Sequence, residues 1–186
     1  MKKIFKVVLA LLVVIYPIAV YFGLQKFEAK FIALGLCMLV ILRALFSPSF
    51  AGIKSKHLII ASTAIGVGIA GFSFLNNTDL GIRLYPVLMS FLFLIVFLLS
   101  LFNPPTIIER FARAQDPGLS EEGVVYCRKV TLIWCSFFLI NICISAYTVF
   151  FSSLEIWSLY NGFLSYFLMG ILFVGEYIYR KLILKQ

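Results

Sequence analysis

The chain has 186 residues, 62% of them hydrophobic and 13% charged, with a formal net charge of +8 and a mean hydropathy of +1.05. A soluble domain carries roughly 25% charged and about 45–50% apolar residues, so a water-soluble globule is excluded and lipid is the solvent. The positive balance does not point to nucleic acid, because the lysines and arginines gather at the ends of apolar runs, where membrane topology accounts for them.

A bilayer core about 30 Å thick takes roughly twenty helical residues to cross. Apolar runs of that scale fall near residues 4–24, 29–46, 58–75, 84–102, 130–151 and 156–178. They predict an all-α, polytopic transmembrane helical bundle of about six spans, forming a single integral membrane domain over residues 1–186. The first run follows a basic start, "MKKIFKVV", and imitates a secretory leader. It lacks a small-x-small cleavage site and is long, so it reads as an uncleaved membrane helix. The second is trimmed by Lys30 and Arg43, both close enough to its ends to snorkel. His57, the single histidine, follows Lys54 and Lys56 and reads as a surface residue. In the third run Ser62, Gly66 and Ala70 form a row of small residues that permits close helix approach.

Residues 101–130 interrupt this pattern, holding half of the eight acidic residues. Asn103, Pro104 and Pro105 end the fourth helix, since proline removes a donor and clashes with a continuing helix. Thr106 with Glu109 is a capping box that starts a short helix at once. Ile107, Ile108, Phe111 and Ala114 fall on one side of it, and Glu109, Arg110 and Arg113 on the other. A helix of this kind lies along the membrane surface with its arginines toward anionic headgroups. Asp116-Pro117-Gly118 is a turn, and Ser120 caps a further helix with Glu121 and Glu122 in its positive first turn. That helix continues through Arg128 and Lys129 into the fifth span. Residues 103–129 therefore read as a cytoplasmic interfacial segment. Glu109, Arg110, Arg113, Arg128 and Lys129 are its candidates for contact with a partner protein or an anionic lipid headgroup.

Asn141, Ser145 and Thr148 share one side of the fifth span, and Ser158, Asn161 and Ser165 one side of the sixth. The link Ser152-Ser153-Leu154-Glu155 is short enough only for an antiparallel pair. Folding about it sets 141 level with 165, 145 with 161 and 148 with 158. Hydrogen bonds between such residues satisfy groups that lipid cannot. Glu176 stands four residues before Arg180, a helical ion-pair spacing near the cytoplasmic end. Trp134 sits slightly inside the inner boundary and Trp157 suits the outer aromatic belt. Trp134, Asn141, Ser145, Asn161, Ser165, Glu176 and Arg180 are thus the intramembrane polar candidates. Cys37, Cys127, Cys135 and Cys143 contain no CxxC pair, so neither a disulfide framework nor a zinc site is indicated. No nucleophile stands beside a base, and the sequence implies no catalytic residues, no metal and no cofactor.

Alternation of the runs sorts the charges. With the N-terminus inside, Lys2, Lys3, Lys6, Arg43, Lys54, Lys56, Arg110, Arg113, Arg128, Lys129, Arg180, Lys181 and Lys185 fall on the inner side. Only Lys26, Lys30 and Arg83 fall outside. The positive-inside rule then places both termini in the cytoplasm.

The stretches "FLNNTDLGIRLYPVLMS", "PPTIIERFA", "RKVTLIWCSFFLINICISAYTVFF" and "IWSLYNGFLSYFLMGILFVGEYIYR" resemble the bacterial intracellular septation protein A family of small inner-membrane proteins. The likeness covers most of residues 70–181. It is closest to a sister group encoded beside aryl-polyene synthesis genes, which has a similar "PPxIER" stretch and "LYNG" sixth span. The connection between the fourth and fifth spans is longer here than in the septation pattern. The resemblance implies the bacterial inner (cytoplasmic) membrane. It implies envelope maintenance in association with elongation and division machinery, or, for the sister group, the making or export of a membrane-bound aryl polyene. It supplies no catalytic motif. The function expected is a non-enzymatic scaffold or accessory factor of cell-envelope biogenesis or maintenance, acting through residues 103–129. Its partners would be envelope-biogenesis or polyene-synthesis membrane proteins and anionic lipid headgroups. The alternative is a lipid- or aryl-polyene-binding or transport protein with an intramembrane cavity among the fourth to sixth spans.

Overall fold

The computed structural model describes residues 15–46 and 56–183. Every regular element among them is helical. Helix α1 is described over Ile15–Leu24. It is followed by α2 (Ala29–Phe46), α3 (Lys56–Asn76), α4 (Leu80–Phe102), α5 (Ile107–Gln115) and α6 (Glu121–Phe151). After α6 come α7 (Leu154–Leu159), a π-helical turn (Tyr160–Leu164) and α8 (Ser165–Ile183). Among the described residues, four stretches are long and apolar enough to cross a membrane: Ile59–Asn76, Leu80–Phe102, Glu121–Phe151 and Leu154–Tyr179. The chain is an all-helical membrane protein. The start of the first apolar run, and the basic residues before it and around residue 54, lie outside the described residues, as do the side chains of Arg43, Lys56, His57 and Arg180.

Helix α4 begins before residue 84, the start expected from hydropathy, and carries Pro86 within it. A proline has no N–H for the carbonyl one turn earlier, which leaves Ile82 O open. Tyr16 of α1 fills that gap: its hydroxyl donates to Ile82 O at 2.7 Å. The Tyr16 ring packs edge-on against Tyr85, with centroids 5.3 Å apart. At the next residue, Arg83 O accepts from Trp157 Nε1 of α7 at 3.1 Å. The N-terminus of α4 is answered from α3, where Ser73 Oγ accepts from Ile82 N at 3.1 Å.

Helix α4 packs most extensively on α6, α2 on α3, and α3 on α4. Two apolar clusters result. One, at the end where α3 turns into α4, gathers Tyr16, Leu36, Val40, Ile82 and a fully buried Trp157. The other, beside the joint of residues 103–120, gathers Phe97, Leu101, Ile107, Trp134 and Phe138. Large side chains such as Phe31, Met38, Phe167 and Phe173 lie outside both and are more than half exposed. Lipid is the solvent that makes such faces stable.

At the first end the two tight turns are tied together. Asn77, at φ 47°, adopts the left-handed conformation that asparagine tolerates. Its Oδ1 accepts from Lys30 N at 3.3 Å and its Nδ2 donates to Glu28 Oε2 at 3.4 Å. Lys30 Nζ lies 2.7 Å from Glu28 Oε2, and its hydrogen bond, then its charge, hold the exposed Glu28 carboxyl below the usual carboxylate range.

The small-residue row on α3 has its partner within the chain. A Cβ on Gly66 would come 2.7 Å and 2.8 Å from the two methyl carbons of Val40 on α2. Gly66→Ala is expected to destabilise the bundle by about 1–3 kcal/mol, overriding the roughly 1 kcal/mol that alanine gains in a helix. Val40→Ala in the same background should restore part of the loss. Unfolding in mixed micelles measures both, and strictly additive losses would show that the two positions do not meet.

Candidate functional site

The 103–129 joint is built as its caps require. Helix α4 stops at Phe102, with Asn103 N donating to Leu99 O at 3.0 Å. Thr106 Oγ1 accepts from Glu109 N, and Glu109 Oε2 accepts from Thr106 N, each at 3.3 Å. Ser100 Oγ accepts from Ile107 N at 3.2 Å, fastening α5 to the end of α4. Ser120 Oγ accepts from Gly123 N at 3.2 Å, and α6 runs unbroken from there into the apolar span.

This economy changes the role of the charged candidates. Glu109, expected on the polar face, is only 5% exposed, because the capping bond draws its carboxylate inward. Its Oε1 then accepts from Arg113 Nε at 2.9 Å. Arg110 Nε donates to Pro105 O at 2.8 Å, and Arg128 Nη1 donates to Leu101 O at 3.2 Å, capping the negative end of α4. Ala114, expected on the apolar side, is exposed. Only Arg113 and Lys129 combine an exposed position with no bond to the backbone of the joint.

The intramembrane polar residues bond across the helices in two main groups, one around Asn161 and one around Asn141. Ser145 Oγ donates to Asn161 Oδ1, the level expected from the short link. The other levels differ. Asn161 Nδ2 donates to Thr148 Oγ1 at 3.1 Å and to Trp157 O at 2.9 Å. Asn141 Nδ2 donates to Ser90 Oγ on α4 at 3.0 Å, and Tyr160 OH donates to Asn141 Oδ1 at 2.9 Å. Ser158 Oγ reaches Pro17 O on α1 at 3.2 Å, and Ser165 Oγ only its own helix, at Asn161 O, 3.4 Å away. The cause is the π-helical turn Tyr160–Leu164, which inserts an extra residue and rotates the start of α8, so Tyr160 takes the place expected for Ser165. Gly162 in that turn lies against α1, where a Cβ would come 2.9 Å from Ile18 Cγ1.

Arg83 is a member of the site region that sequence reading passed over as an outer charge. Its side chain is 15% exposed. Nη2 donates to Thr148 O at 3.0 Å and to Ser152 O at 3.2 Å, the last carbonyls of α6, and Nη1 lies 3.7 Å from Asp79 Oδ2. The signal was a cation at the start of a span whose neighbour ends nearby, a helix C-terminus partner.

Trp134 is 3% exposed and belongs to an aromatic cluster, with its ring centroid 4.6 Å from Phe173 and 5.8 Å from Phe138. It is a packing residue rather than an interfacial one. It also forms the inner wall of a groove that the sequence did not reveal. Helix α7 and the π-helical turn stay close to α6, whereas the α8 backbone stands off from it. The space between holds about 860 Å³. Val125, Val130, Ile133 and Trp134 line it from α6, and Ile171, Leu172 and Gly175 from α8. Glu121, Glu122, Lys129 and Glu176 stand at its polar end. Tyr126 and Tyr179 stack across it, 5.9 Å apart and nearly parallel, and Tyr126 OH lies 3.4 Å from Glu176 Oε1. The expected Glu176–Arg180 ion pair falls on a side chain outside the described residues. No cluster able to hold a metal ion occurs among the described residues.

Asn161 is the hub of its group and Ser165 is peripheral to it. Intramembrane hydrogen bonds are worth about 0.6–2 kcal/mol each, so Asn161→Leu is expected to cost about 2 kcal/mol and Ser165→Ala under about 0.5 kcal/mol. Unfolding in mixed micelles checks both, and equal costs would refute the assignment of the hub.

No family model matches the chain, and no curated protein or solved structure is significantly similar to it.

Proposed function

We propose that the chain is a non-enzymatic protein of the bacterial inner membrane, with about six spans, that holds an amphiphile in the groove between α6 and α8 as an accessory factor of envelope biogenesis. The observation that carries this reading is the groove itself. Its volume of about 860 Å³ falls within the roughly 300–1,000 Å³ of ligand sites, and its walls are apolar with few polar groups at one end. That end adjoins the interfacial joint, so a bound chain would lie along the membrane interior with its headgroup at the surface. The scaffold reading, in which the joint docks an envelope or polyene-synthesis protein, is supported by the exposed Arg113. It is the weaker of the two because Glu109, Arg110 and Arg128 are engaged within the joint.

Two measurements test this. A phospholipid with a photoreactive acyl chain, activated in membranes containing the protein, is expected to label peptides around Ile133 and Ile171 saturably. Gly175 lines the groove with open space around its Cα, so Gly175→Leu narrows it without a clash and should reduce that labelling several-fold. Labelling spread evenly over the exposed faces of α2 and α8 would overturn the reading. For orientation, Ser153→Cys should react with an impermeant thiol reagent in intact cells, and Gln115→Cys only after permeabilisation. The reverse pattern would place the joint outside.

A further inference from the structure

The groove's polar groups are arranged in an order as well as a number. Along its α6 wall, Glu122, Tyr126, Lys129 and Ile133 succeed one another at intervals of four, three and four residues. That is one helical turn per step, about 5 Å along the axis. From the deep end outward, the wall therefore reads apolar, cationic, phenolic, acidic. Across it, Glu176 of α8 stands at the Tyr126 level, since the two side chains approach to 3.4 Å. Glu121 joins Glu122 at the rim. Among the described residues, these four, Glu121, Glu122, Lys129 and Glu176, are the charged ones that line the groove.

We infer that the amphiphile is zwitterionic, with a phosphoethanolamine headgroup, its phosphate on Lys129 and its ammonium between Glu176 and Glu122. This rests on the groove being the binding site. An anionic headgroup would meet Lys129 and then the carboxylates beyond it, and a neutral one would use neither. A phosphoethanolamine lipid presents the same sequence as the wall. Its acyl chain meets Ile133, Trp134 and Ile171, its phosphate meets the lysine, and its ammonium, two carbons further, meets Glu176 at the Tyr126 level one turn away, with Glu122 a turn beyond. The ammonium donates hydrogen bonds to carboxylates, which a quaternary choline cannot do. The source of the headgroup is the bilayer, because the apolar walls open beside it and continue into the span.

The test is native mass spectrometry of the whole chain, released from micelles doped with equal amounts of phosphatidylethanolamine, phosphatidylglycerol and phosphatidylcholine of matched acyl chains. One charge-assisted hydrogen bond is worth roughly a factor of ten in affinity. Phosphatidylethanolamine is therefore expected to be retained about tenfold over either competitor. Glu176→Gln keeps an acceptor for Tyr126 while removing the charge, and should erase most of that preference with unfolding unchanged. Lys129→Gln should weaken phosphatidylethanolamine and phosphatidylglycerol alike. Glu176→Lys should turn the preference toward phosphatidylglycerol. Retention of the three lipids in equal amounts, or a preference for phosphatidylglycerol or phosphatidylcholine in the wild type, overturns the headgroup assignment and leaves the groove as a chain site. No retained lipid, together with no acyl-chain labelling at Ile133, overturns both.

Discussion

Lipid supplies no hydrogen bonds, so a backbone carbonyl released within a span has to be answered by the protein. Pro86 releases one at Ile82, and much of the bundle is arranged around the answer. Tyr16 brings α1 against α4 through that carbonyl. Trp157 brings α7 against the adjacent carbonyl, Arg83 O. Arg83 in turn closes the last carbonyls of α6. Three helices other than α4 are thus fixed by polar demands arising in the first two turns of α4. Apolar packing alone could not select among them, because lipid chains match the helices in polarity.

The same logic separates the two ends of the molecule. At the Pro86 end, α6, α7 and the π-helical turn are bound by Asn161, Ser145, Thr148 and Asn141. Toward the joint, α6 and α8 meet through the long Tyr126–Glu176 hydrogen bond and through ring contacts, Tyr126 with Tyr179 and Trp134 with Phe173. Aromatic side chains keep backbones far apart while still touching, and the gap beneath them becomes the groove. The π-helical turn stands where the chain passes from α7, which stays close to α6, to α8, which stands off from it.

The part of the structure legible in advance was the part governed by local rules. The capping box at Thr106, the Ser120 cap, the stop at Pro104 and the continuous α6 each depend on a few neighbouring residues. The Ser145–Asn161 pair came from the length of one link. The failures are equally specific. Glu109 was placed on the polar face by periodicity, but the cap it completes requires its carboxylate to turn inward, and capping outweighs amphipathicity on so short a helix. Ser165 was set opposite Asn141 on the assumption of a regular helix, and a π-helical turn carries no compositional mark in "YNGFL" beyond its glycine. The groove was unreadable because it lies between two helices at an angle that neither sequence specifies.

The groove's position also explains why the joint is so fully bonded to itself. An open space between α6 and α8 removes support from the first turns of α6. Arg128 on the α4 end and the Ser120 cap replace that support locally. The exposed acids Glu121 and Glu122 are stabilised by the positive end of the same helix, so they can face a ligand without needing a cation from the protein. Lys129, two helical turns further in, is the exception that a purely structural acidic cap would not require. Its presence among apolar neighbours, on the face that lines the space rather than the face that packs on α4, is the feature that joins the architecture of the joint to the chemistry of the groove.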